Sequence, residues 1–371
     1  MQKKYYLKNY DFFMAMFALA ISIFGIIVIG SAKESVQNRQ IYGLIVGFAV
    51  MIIISLVDYS YILNIYWVYY ILSIVLLLAV KFFGRDINNA RRWIIIAGIQ
   101  FQPSETVKLL LILFFAKFIM INEDKMKKPS TVMMMVGLFF PVWYLVYDQP
   151  DMSTSIVVFL IFAILMFIGG LSLKVIAGVF AVVIPLIIVG MMIILQPDQE
   201  IIKDYQQNRI LAWLEPDKYS STEGYQQQNS QIAIGSGMLT GKGYKNNEVG
   251  SVKNGNFISE PQTDFIFAIV GEEMGFVGCM TVIILMLLII IEVIRLGWNA
   301  RDLAGTLICA GVAAHIGFQT FINIAVTTGV MPNTGIPLPF VSYGMTSLIS
   351  LFMELGVVLN IGLLREKRSQ Y

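Results

Sequence analysis

The residue best placed for acid–base chemistry is Asp264, which stands where a polar segment meets an apolar run. A carboxylate at such a junction is partly removed from water. This raises its pKa towards the range of a general base unless a nearby cation compensates. The same position also suits Asp264 or Thr263 as the N-cap of a following helix. The residue pattern leaves capping and catalysis both open, and the two roles can coexist.

Other charged side chains stand at similar junctions. Arg91, Arg92 and Trp93 offer planar guanidinium groups and an aromatic ring that suit a diphosphate, although cations at an interface can equally meet lipid headgroups. Glu105 and Lys108 are three residues apart, so they share one helix face and can form an ion pair. That pair can serve a ligand or simply join two helices, and both interpretations stay open.

Several other classes of site are excluded by residue type and spacing. The single histidine, His315, cannot form a zinc site and is expected to be a hydrogen-bonded core residue. The two cysteines lie in apolar runs, which suits buried side chains better than a disulfide or a metal site. The glycines around Lys242 do not have the spacing of a phosphate-binding loop.

The composition is that of a membrane protein. Of 371 residues, 57% are hydrophobic and only 13% are charged, with a mean hydropathy of +0.74. Ordinary globular domains have about 25% charged residues. A net charge of +2, with basic residues spread along the chain, gives no case for a nucleic-acid partner.

Uncharged runs of about 20 residues recur, and each can cross a bilayer as a helix. We therefore predict an all-α integral membrane protein with about ten transmembrane helices, forming a single polytopic membrane domain over residues 1–371. Between the seventh and eighth spans, residues 196–263 are polar and are predicted to form one large loop. The predicted spans lie near residues 12–31, 41–57, 62–80, 105–122, 132–147, 152–170, 175–195, 265–294, 303–330 and 340–363.

The distribution of basic residues predicts the orientation. An even number of spans places both termini on one side, and that side has about twice as many basic residues as the short loops opposite, so both termini are predicted to be cytoplasmic. The first span is longer than the apolar region of a cleaved signal peptide, so we predict that it is an uncleaved transmembrane helix. The large loop then faces outward. The same outer side holds most of the chemistry-bearing residues, namely Arg91, Arg92, Trp93, Asp151, Arg209, Glu260 and Asp264.

Short motifs follow one another in a fixed order along the chain. They are Ala-Arg-Arg-Trp at 90–93, Gln-Pro-Ser-Glu at 102–105 followed by Lys108, Gln-Pro-Asp at 149–151, Asn-Arg-Ile at 208–210, Thr-Asp-Phe-Ile-Phe-Ala at 263–268, and Gly-Ile-Pro-Leu-Pro-Phe-Val-Ser-Tyr-Gly at 335–344. This series closely resembles the SEDS family, whose members include RodA, FtsW and SpoVE. Asn333 and Thr334 resemble RodA members more than FtsW members. Met238 and Met345 stand where the family usually has glycine, which changes local packing but removes no charge.

The resemblance implies a peptidoglycan glycosyltransferase that polymerises lipid II at the outer face of the bacterial cytoplasmic membrane, for cell elongation and shape. It implies an inverting transfer in which Asp264 accepts the proton of an acceptor 4-hydroxyl and undecaprenyl diphosphate leaves. Arg91, Arg92, Lys108 and Arg209 are then expected to stabilise the diphosphate, with a divalent cation, Mg²⁺ or Mn²⁺, as a candidate helper. The remaining expected substrate-binding residues are Trp93, Glu105, Asp151 and Glu260.

The family resemblance also implies partners. Members act with a class B penicillin-binding protein, a transpeptidase, and with other elongation or division machinery. Two competing functions stay open, a lipid II flippase or related transporter and a scaffold that recruits a cell-wall synthase. A division- or sporulation-specific role within the family is a further alternative. A transporter needs binding groups near the membrane midplane, whereas the candidates here concentrate at the outer edge.

Overall fold

In the computed structural model, residues 10–364 are described except for 88–89, 97, 150, 197–203, 220, 223, 246–250, 252–254 and 256. Both chain ends, on which the prediction of cytoplasmic termini depends, lie outside the described residues. So do Pro150 of the Gln-Pro-Asp motif and parts of the predicted loop at 196–263.

The described residues form thirteen α-helices and a small β-sheet. Ten of these helices coincide with the ten predicted spans, and three are additional short helices. The helices are α1 (Phe12–Ala32), α2 (Glu34–Ser55), α3 (Tyr59–Asn64), α4 (Tyr66–Phe83), α5 (Pro103–Ile121), α6 (Pro129–Asp148), α7 (Met152–Ile168), α8 (Leu173–Ile194), α9 (Asp204–Leu214), α10 (Tyr225–Ser236), α11 (Ile266–Trp298), α12 (Leu303–Thr327) and α13 (Met345–Leu363).

Seven helices of the described chain are long and apolar enough to cross a membrane, namely α1, α2, α4, α6, α11, α12 and α13. Helices α5, α7 and α8 cover the other three predicted spans, so the span count of ten and the loop topology stay predictions. Side chains such as Phe83, Met133 and Leu186 are exposed on outer faces, as expected for helices that meet lipid.

Helices α12 and α13 form the centre of the bundle. Helix α13 packs along α2, and α12 packs against α5, α7 and α11. The most apolar windows of α12 and α13 are 67% and 78% buried, whereas that of α4 is only 22% buried. Polar side chains carried by the two central helices are therefore shielded from both water and lipid, and this decides what they can do.

Helix α11 is kinked in its N-terminal third. Gly275 has a φ of +64°, a backbone conformation that side chains other than glycine rarely adopt. The kink frees the amides of Phe276 and Val277 from the helical ladder, and they donate to the carbonyls of Met238 and Leu239 at 2.9 and 3.1 Å. The turn after α10 thus docks into α11 where the helix is interrupted.

A three-stranded antiparallel sheet connects α4 to α5, where only a loop was expected. Its strands are β1 (Arg85–Ile87), β2 (Ala90–Ile96) and β3 (Ile99–Phe101), with β2 in the middle. The β-branched run Ile94–Ile96 and the turn glycine at residue 98, with a φ of +81°, favour this hairpin. Because the strands are so short, they lack a strong periodic signal in the sequence.

The predicted loop at 196–263 contains two helices, α9 and α10, that pack on the bundle. Polar side chains hold α10 in place. Gln227 Nε2 donates to the carbonyls of Val326 and Met331 at 2.8 and 2.7 Å, and Ser230 Oγ donates to the carbonyl of Thr327 at 2.8 Å. The last carbonyls of a helix lack intrahelical partners, so α10 caps the C-terminal end of α12.

Candidate functional site

Asp264 lies in the turn that precedes α11, and its side chain is half-buried. The helix begins at Ile266, and its N-cap residue, Phe265, makes no side-chain capping bond. The prediction that Asp264 or Thr263 caps this helix is therefore wrong. Thr263 Oγ1 instead donates to the carbonyl of Glu260 at 2.9 Å, which closes the turn. The carboxylate of Asp264 is consequently available for another role.

A proline-rich segment, residues 335–344, is joined to the turn that bears Asp264. Asn323 Nδ2 donates to the carbonyl of Asp264 at 2.8 Å and to that of Ile336 at 2.7 Å. Ser342 Oγ donates to the carbonyl of Thr263 at 2.6 Å, and the amide of Tyr343 donates to the carbonyl of Gln262 at 2.8 Å. We call residues 335–344 the clamp segment, because these bonds fix it to the turn.

Gly335 is the point where the clamp segment approaches the carboxylate itself. Its φ is +70°, and a β-carbon placed on it would lie 3.2 Å from Asp264 Oδ2. Glycine is therefore required here both by the backbone conformation and by the close approach. The position of the carboxylate depends directly on where the clamp segment lies.

The electrostatics around Asp264 are mixed. The pKa of its carboxyl is raised to about 6, chiefly by burial. Asp151 and Glu260 add to this increase, whereas Arg92 and Arg209 oppose it. The structure thus brings together five of the predicted site residues, Asp264, Arg92, Asp151, Arg209 and Glu260, within electrostatic range. A pKa near 6 keeps the group ionised at neutral pH yet basic enough to accept a proton. We call these five residues the outer site.

Arg92 and Asp151 form one wall of the outer site. Arg92 Nη1 lies 3.7 Å from Asp151 Oδ1, and Arg92 Nε donates to the carbonyl of Gln149 at 3.3 Å. Asp151 also caps α7 by accepting from the amide of Thr154 at 3.1 Å, and it accepts from Gln102 Nε2 at 3.4 Å. Asp151 is buried and already bonded to these groups, so its main role is to hold Arg92 in place.

Arg91 and Trp93 lie on the opposite face of β2 from Arg92, because successive side chains of a strand alternate. Arg91 is exposed, and its Nη1 donates to the carbonyl of Lys81 at 3.5 Å. Trp93 is half-buried and pairs with Arg85 in the register of the sheet. The Arg-Arg-Trp run therefore does not present all of its side chains to Asp264, and the binding roles of Arg91 and Trp93 stay predictions.

Arg209 and Glu260 reach the outer site from the segment between α8 and α11. Arg209 lies on α9, one turn before Trp213, whose Nε1 donates to the carbonyl of Gly329 at 3.0 Å and anchors the helix. Glu260 lies on the rim, where its Oε2 is 3.6 Å from Lys33 Nζ. The side chain of Glu260 is 45% exposed, and that of Arg209 is half-buried.

A family model of cell cycle proteins that covers FtsW, RodA and SpoVE matches residues 7–367. The chain belongs to this family. The resemblance to SEDS proteins is thereby confirmed.

Comparisons with individual proteins agree with this assignment. The chain is 33% identical over 351 residues to the peptidoglycan glycosyltransferase MrdB of Escherichia coli strain K12, covering 94% of this chain and 92% of MrdB. A chain from a peptidoglycan synthase complex, studied for its coordination of polymerization and crosslinking, is similar with a TM-score of 0.79 at 29% identity, covering 96% of this chain and 98% of that one.

A RodA structure is similar as well. The rod shape determining protein RodA of Thermus thermophilus, as an aspartate-to-alanine mutant, gives a TM-score of 0.71 at 26% identity, covering 98% of this chain and all of that one. Together with the apolar helices, these likenesses confirm a predominantly helical, multi-pass protein of the bacterial inner membrane.

The predicted ion pair of this SEDS chain is present but lies deep in the bundle. Lys108 Nζ donates to Glu105 Oε1 at 2.8 Å, and the two side chains are 0% and 1% exposed. Lys108 also donates to Gln319 Oε1 at 2.6 Å, and Ser347 Oγ donates to Glu105 Oε2 at 2.8 Å. The ammonium group is thus directed at protein partners, and contact with a diphosphate stays a prediction.

Sequence reasoning missed two positions that matter here. Asn323 and Gln319 are amides inside an apolar helix, and neither carries a charge or belongs to a motif by which it could be singled out. Their signal was present all the same. Gln319 follows His315 by four residues and Asn323 follows it by eight, so the three polar side chains lie on one face of α12. That face meets the clamp segment.

The described residues do not bring three acidic, histidine or cysteine side chains close enough to hold a metal ion. Asp151, the best buried carboxylate of the outer site, is already engaged by Arg92, Gln102 and the amide of Thr154. The side chains present therefore do not fit a resident cation, and we derive no step through one. A divalent cation that arrives with the diphosphate stays a prediction.

Proposed function

We propose that this chain polymerises lipid II at the outer face of the inner membrane, as a peptidoglycan glycosyltransferase in which Asp264 is the general base. The observation that carries the proposal is the half-buried carboxylate of Asp264, with a pKa of about 6 and two arginines within electrostatic range. The name of the Escherichia coli relative supports the reaction class.

The reaction needs one proton transfer and one displacement. Asp264 accepts the proton of the acceptor 4-hydroxyl as that oxygen attacks C1 of the donor sugar. The bond between C1 and the diphosphate oxygen breaks with inversion, and undecaprenyl diphosphate leaves with the electron pair. Asp264 then releases its proton to water. Because the carboxylate is near the membrane edge, the lipid tail can stay in the bilayer throughout.

The leaving diphosphate develops charge that cations must stabilise. We assign this role first to Arg92 and Arg209, because both already act on the charge of Asp264. Arg92 is held in position by Asp151 and Gln149. Lys108 acts indirectly in this scheme, since its ammonium group is fully enclosed by Glu105 and Gln319.

We further propose a class B penicillin-binding protein as the partner. A similar chain belongs to a peptidoglycan synthase complex that joins polymerization to crosslinking. A polymerase that hands its glycan strand directly to a transpeptidase would need such a partner close to its outer face. The relatives named MrdB and RodA favour a role in cell elongation.

Purified protein in detergent, incubated with labelled lipid II and Mg²⁺, with and without the transpeptidase, tests the proposal on a gel of glycan products. We expect polymer from the wild type and a loss of about 10²- to 10⁴-fold in Asp264→Asn. The matched control is Asp302→Asn, which keeps a good N-cap for α12 far from the outer site.

Three results bear on the alternatives. Polymer from the wild type and from Asp302→Asn, but not from a folded Asp264→Asn, supports the proposal. Equal activity in all three proteins would contradict the role of Asp264. If no polymer forms even with the partner, the polymerase function fails, and lipid II translocation in vesicles then tests the flippase alternative.

A further inference from the structure

A chain of buried polar side chains crosses the bundle behind the outer site. It consists of Glu105 and Lys108 on α5, His315 and Gln319 on α12, and Glu354 on α13, and we call it the buried network. His315 Nδ1 lies 2.8 and 3.0 Å from the two carboxylate oxygens of Glu354, and His315 Nε2 lies 2.9 Å from Gln319 Oε1. All five residues are shielded from solvent.

Gln319 can have only one orientation in this network. Its Oε1 is 2.6 Å from Lys108 Nζ, and an ammonium group has no lone pair to offer, so the facing atom must be an acceptor. Its Nε2 is 3.0 Å from the carbonyl of Pro337, so the atom there must be a donor. Both contacts require the same orientation of the amide.

The orientation of Gln319 fixes the protons of His315. Because Oε1 is an acceptor, His315 Nε2 must carry a hydrogen to bond with it. Nδ1 then faces the carboxylate of Glu354, and a proton must lie between them, since two bare lone pairs at 2.8 Å would repel each other. The buried network is therefore electroneutral, with a single proton shared by His315 and Glu354.

Gln319 also links the buried network to the outer site. Its bond to Pro337 holds the clamp segment from inside the bundle. Two residues earlier in that segment, Gly335 lies beside the Asp264 carboxylate, close enough that an added β-carbon would meet it, and the carbonyl of Ile336 shares the amide of Asn323 with the carbonyl of Asp264. A change in the amide of Gln319 would therefore move the backbone against which Asp264 rests.

We propose that Gln319 is a positioning residue, which transmits the arrangement of the buried network through Pro337 to Asp264. The proposal rests on the proposed function, since it assigns Asp264 the reacting role. In this scheme Gln319 touches no substrate. Its loss lowers turnover by displacing the base, because a displacement of about 1 Å can cost on the order of 10²-fold in rate.

The activity test compares two buried amides. Gln319→Met removes both hydrogen-bonding functions, and Gln319→Glu keeps an acceptor for Lys108 but loses the donor to Pro337. The control is Asn360→Leu, which removes an equally buried amide that bonds the amide of Tyr59 and the carbonyl of Ser55, away from the clamp segment. We expect kcat to fall about 10- to 100-fold in both Gln319 variants, with KM for lipid II within about twofold.

The control separates positioning from stability. Asn360→Leu is expected to lower the melting temperature as much as Gln319→Met, with kcat unchanged. If Gln319→Met does not fold, Gln319→Glu decides the question alone. Wild-type kcat in a folded Gln319 variant, or an equal loss of kcat in Asn360→Leu, would overturn the proposal.

A second readout needs no activity. His315 is the only histidine of the chain, so ¹⁵N-labelled histidine gives one pair of ring nitrogen signals. We expect a protonated Nε2 in the wild type at neutral pH. In Glu354→Gln, whose amide can donate to Nδ1, we expect the neutral tautomer with its hydrogen on Nε2. A bare Nε2 in the wild type would refute the proton arrangement, whereas a wild type without polymerase activity would refute the proposed function, and the positioning role with it, but not the proton arrangement.

Discussion

The outer site and the buried network contain similar side chains but treat their charges differently. In the buried network every charged or polar group has a partner, and Glu105 and Lys108 are at most 1% exposed. In the outer site the Asp264 carboxylate is half-buried and its pKa is raised. Its acidic and basic neighbours shift that pKa in opposite directions. Complete pairing makes a group unreactive, whereas incomplete pairing keeps Asp264 able to take up a proton.

The difference follows from how deeply each set lies in the helix bundle. An unpaired charge in the hydrocarbon layer costs several kcal/mol, so charges placed there must be neutralised by neighbours. At the outer edge, water and headgroups supply part of the stabilisation, so a group can stay partly unpaired. The clamp segment connects the outer site to the buried network. Gln319 of the buried network holds this segment, and the segment is in turn bonded to the turn that bears Asp264.

The largest effect is expected from breaking the pairing in the buried network. Lys108→Met leaves the Glu105 carboxylate buried without its cation, which should lower the free energy of unfolding by about 3 to 5 kcal/mol. Thermal unfolding in detergent measures this. The double variant Glu105→Gln with Lys108→Met removes the uncompensated charge and should recover most of the loss. A single variant as stable as the wild type would contradict the comparison.

A smaller effect on stability but a clear one on activity is expected at Gly335. Gly335→Ala forces a strained φ of +70° and brings a methyl group to 3.2 Å from Asp264 Oδ2. We expect about 1 to 3 kcal/mol of destabilisation and a 10- to 100-fold loss of polymer synthesis, following the same rule of about 10²-fold per 1 Å of displacement.

Gly170 provides the matched control for that variant. Its φ is +94°, but a β-carbon there meets nothing within 4 Å. Gly170→Ala should therefore share the strain of Gly335→Ala without its loss of activity. Equal activities in the two alanine variants would mean that the clamp segment does not position the carboxylate.

The fold could largely be predicted from the sequence, and the reasons are physical. Each of the ten predicted spans is covered by a long helix because an apolar run of that length has few other stable forms in a membrane. The sheet at residues 85–101 and the helices α9 and α10 were missed. Their strands are only three to seven residues long and α9 and α10 are polar, so neither carries a strong hydrophobic period.

The candidate site was predicted in its charges but not in its connections. Asp264 and its four charged neighbours in the outer site all appear in the sequence as charges at polar junctions. The roles of Asn323, Gln319 and Gly335 depend on contacts between segments that are far apart in the chain or unrelated in motif. The spacing of His315, Gln319 and Asn323 marks a polar face of α12, but the segment that this face meets is known only from the structure.

A third prediction concerns the pH dependence of activity. Asp264 must be ionised to accept a proton, so kcat/KM should fall as the pH drops through about 6. Arg92 lowers the pKa of Asp264, so Arg92→Gln should raise it and move the acidic limb of the pH profile upward by up to about one unit, which is a loss of about fivefold at pH 6 and about tenfold well below it. Glu260→Gln should move the limb downward. The pH at which kcat/KM falls, measured from pH 5 to 8, is independent of any loss of diphosphate binding.

The smallest effect is expected at the rim of the outer site. Lys33 and Glu260 are 3.6 Å apart and each is 45% exposed, so their attraction is screened by water and salt. Lys33→Gln should change the free energy of unfolding by less than about 1 kcal/mol. Lys33 partly offsets the acidic charge of Glu260, so its loss should also raise the pKa of Asp264 and move the acidic limb of the pH profile slightly upward. This shift should be seen only at low ionic strength, since the Debye length falls to about 3 Å at 1 M salt. A loss of stability as large as that of Lys108→Met would show that the rim is as tightly coupled as the interior, and the contrast between the outer site and the buried network would then not hold.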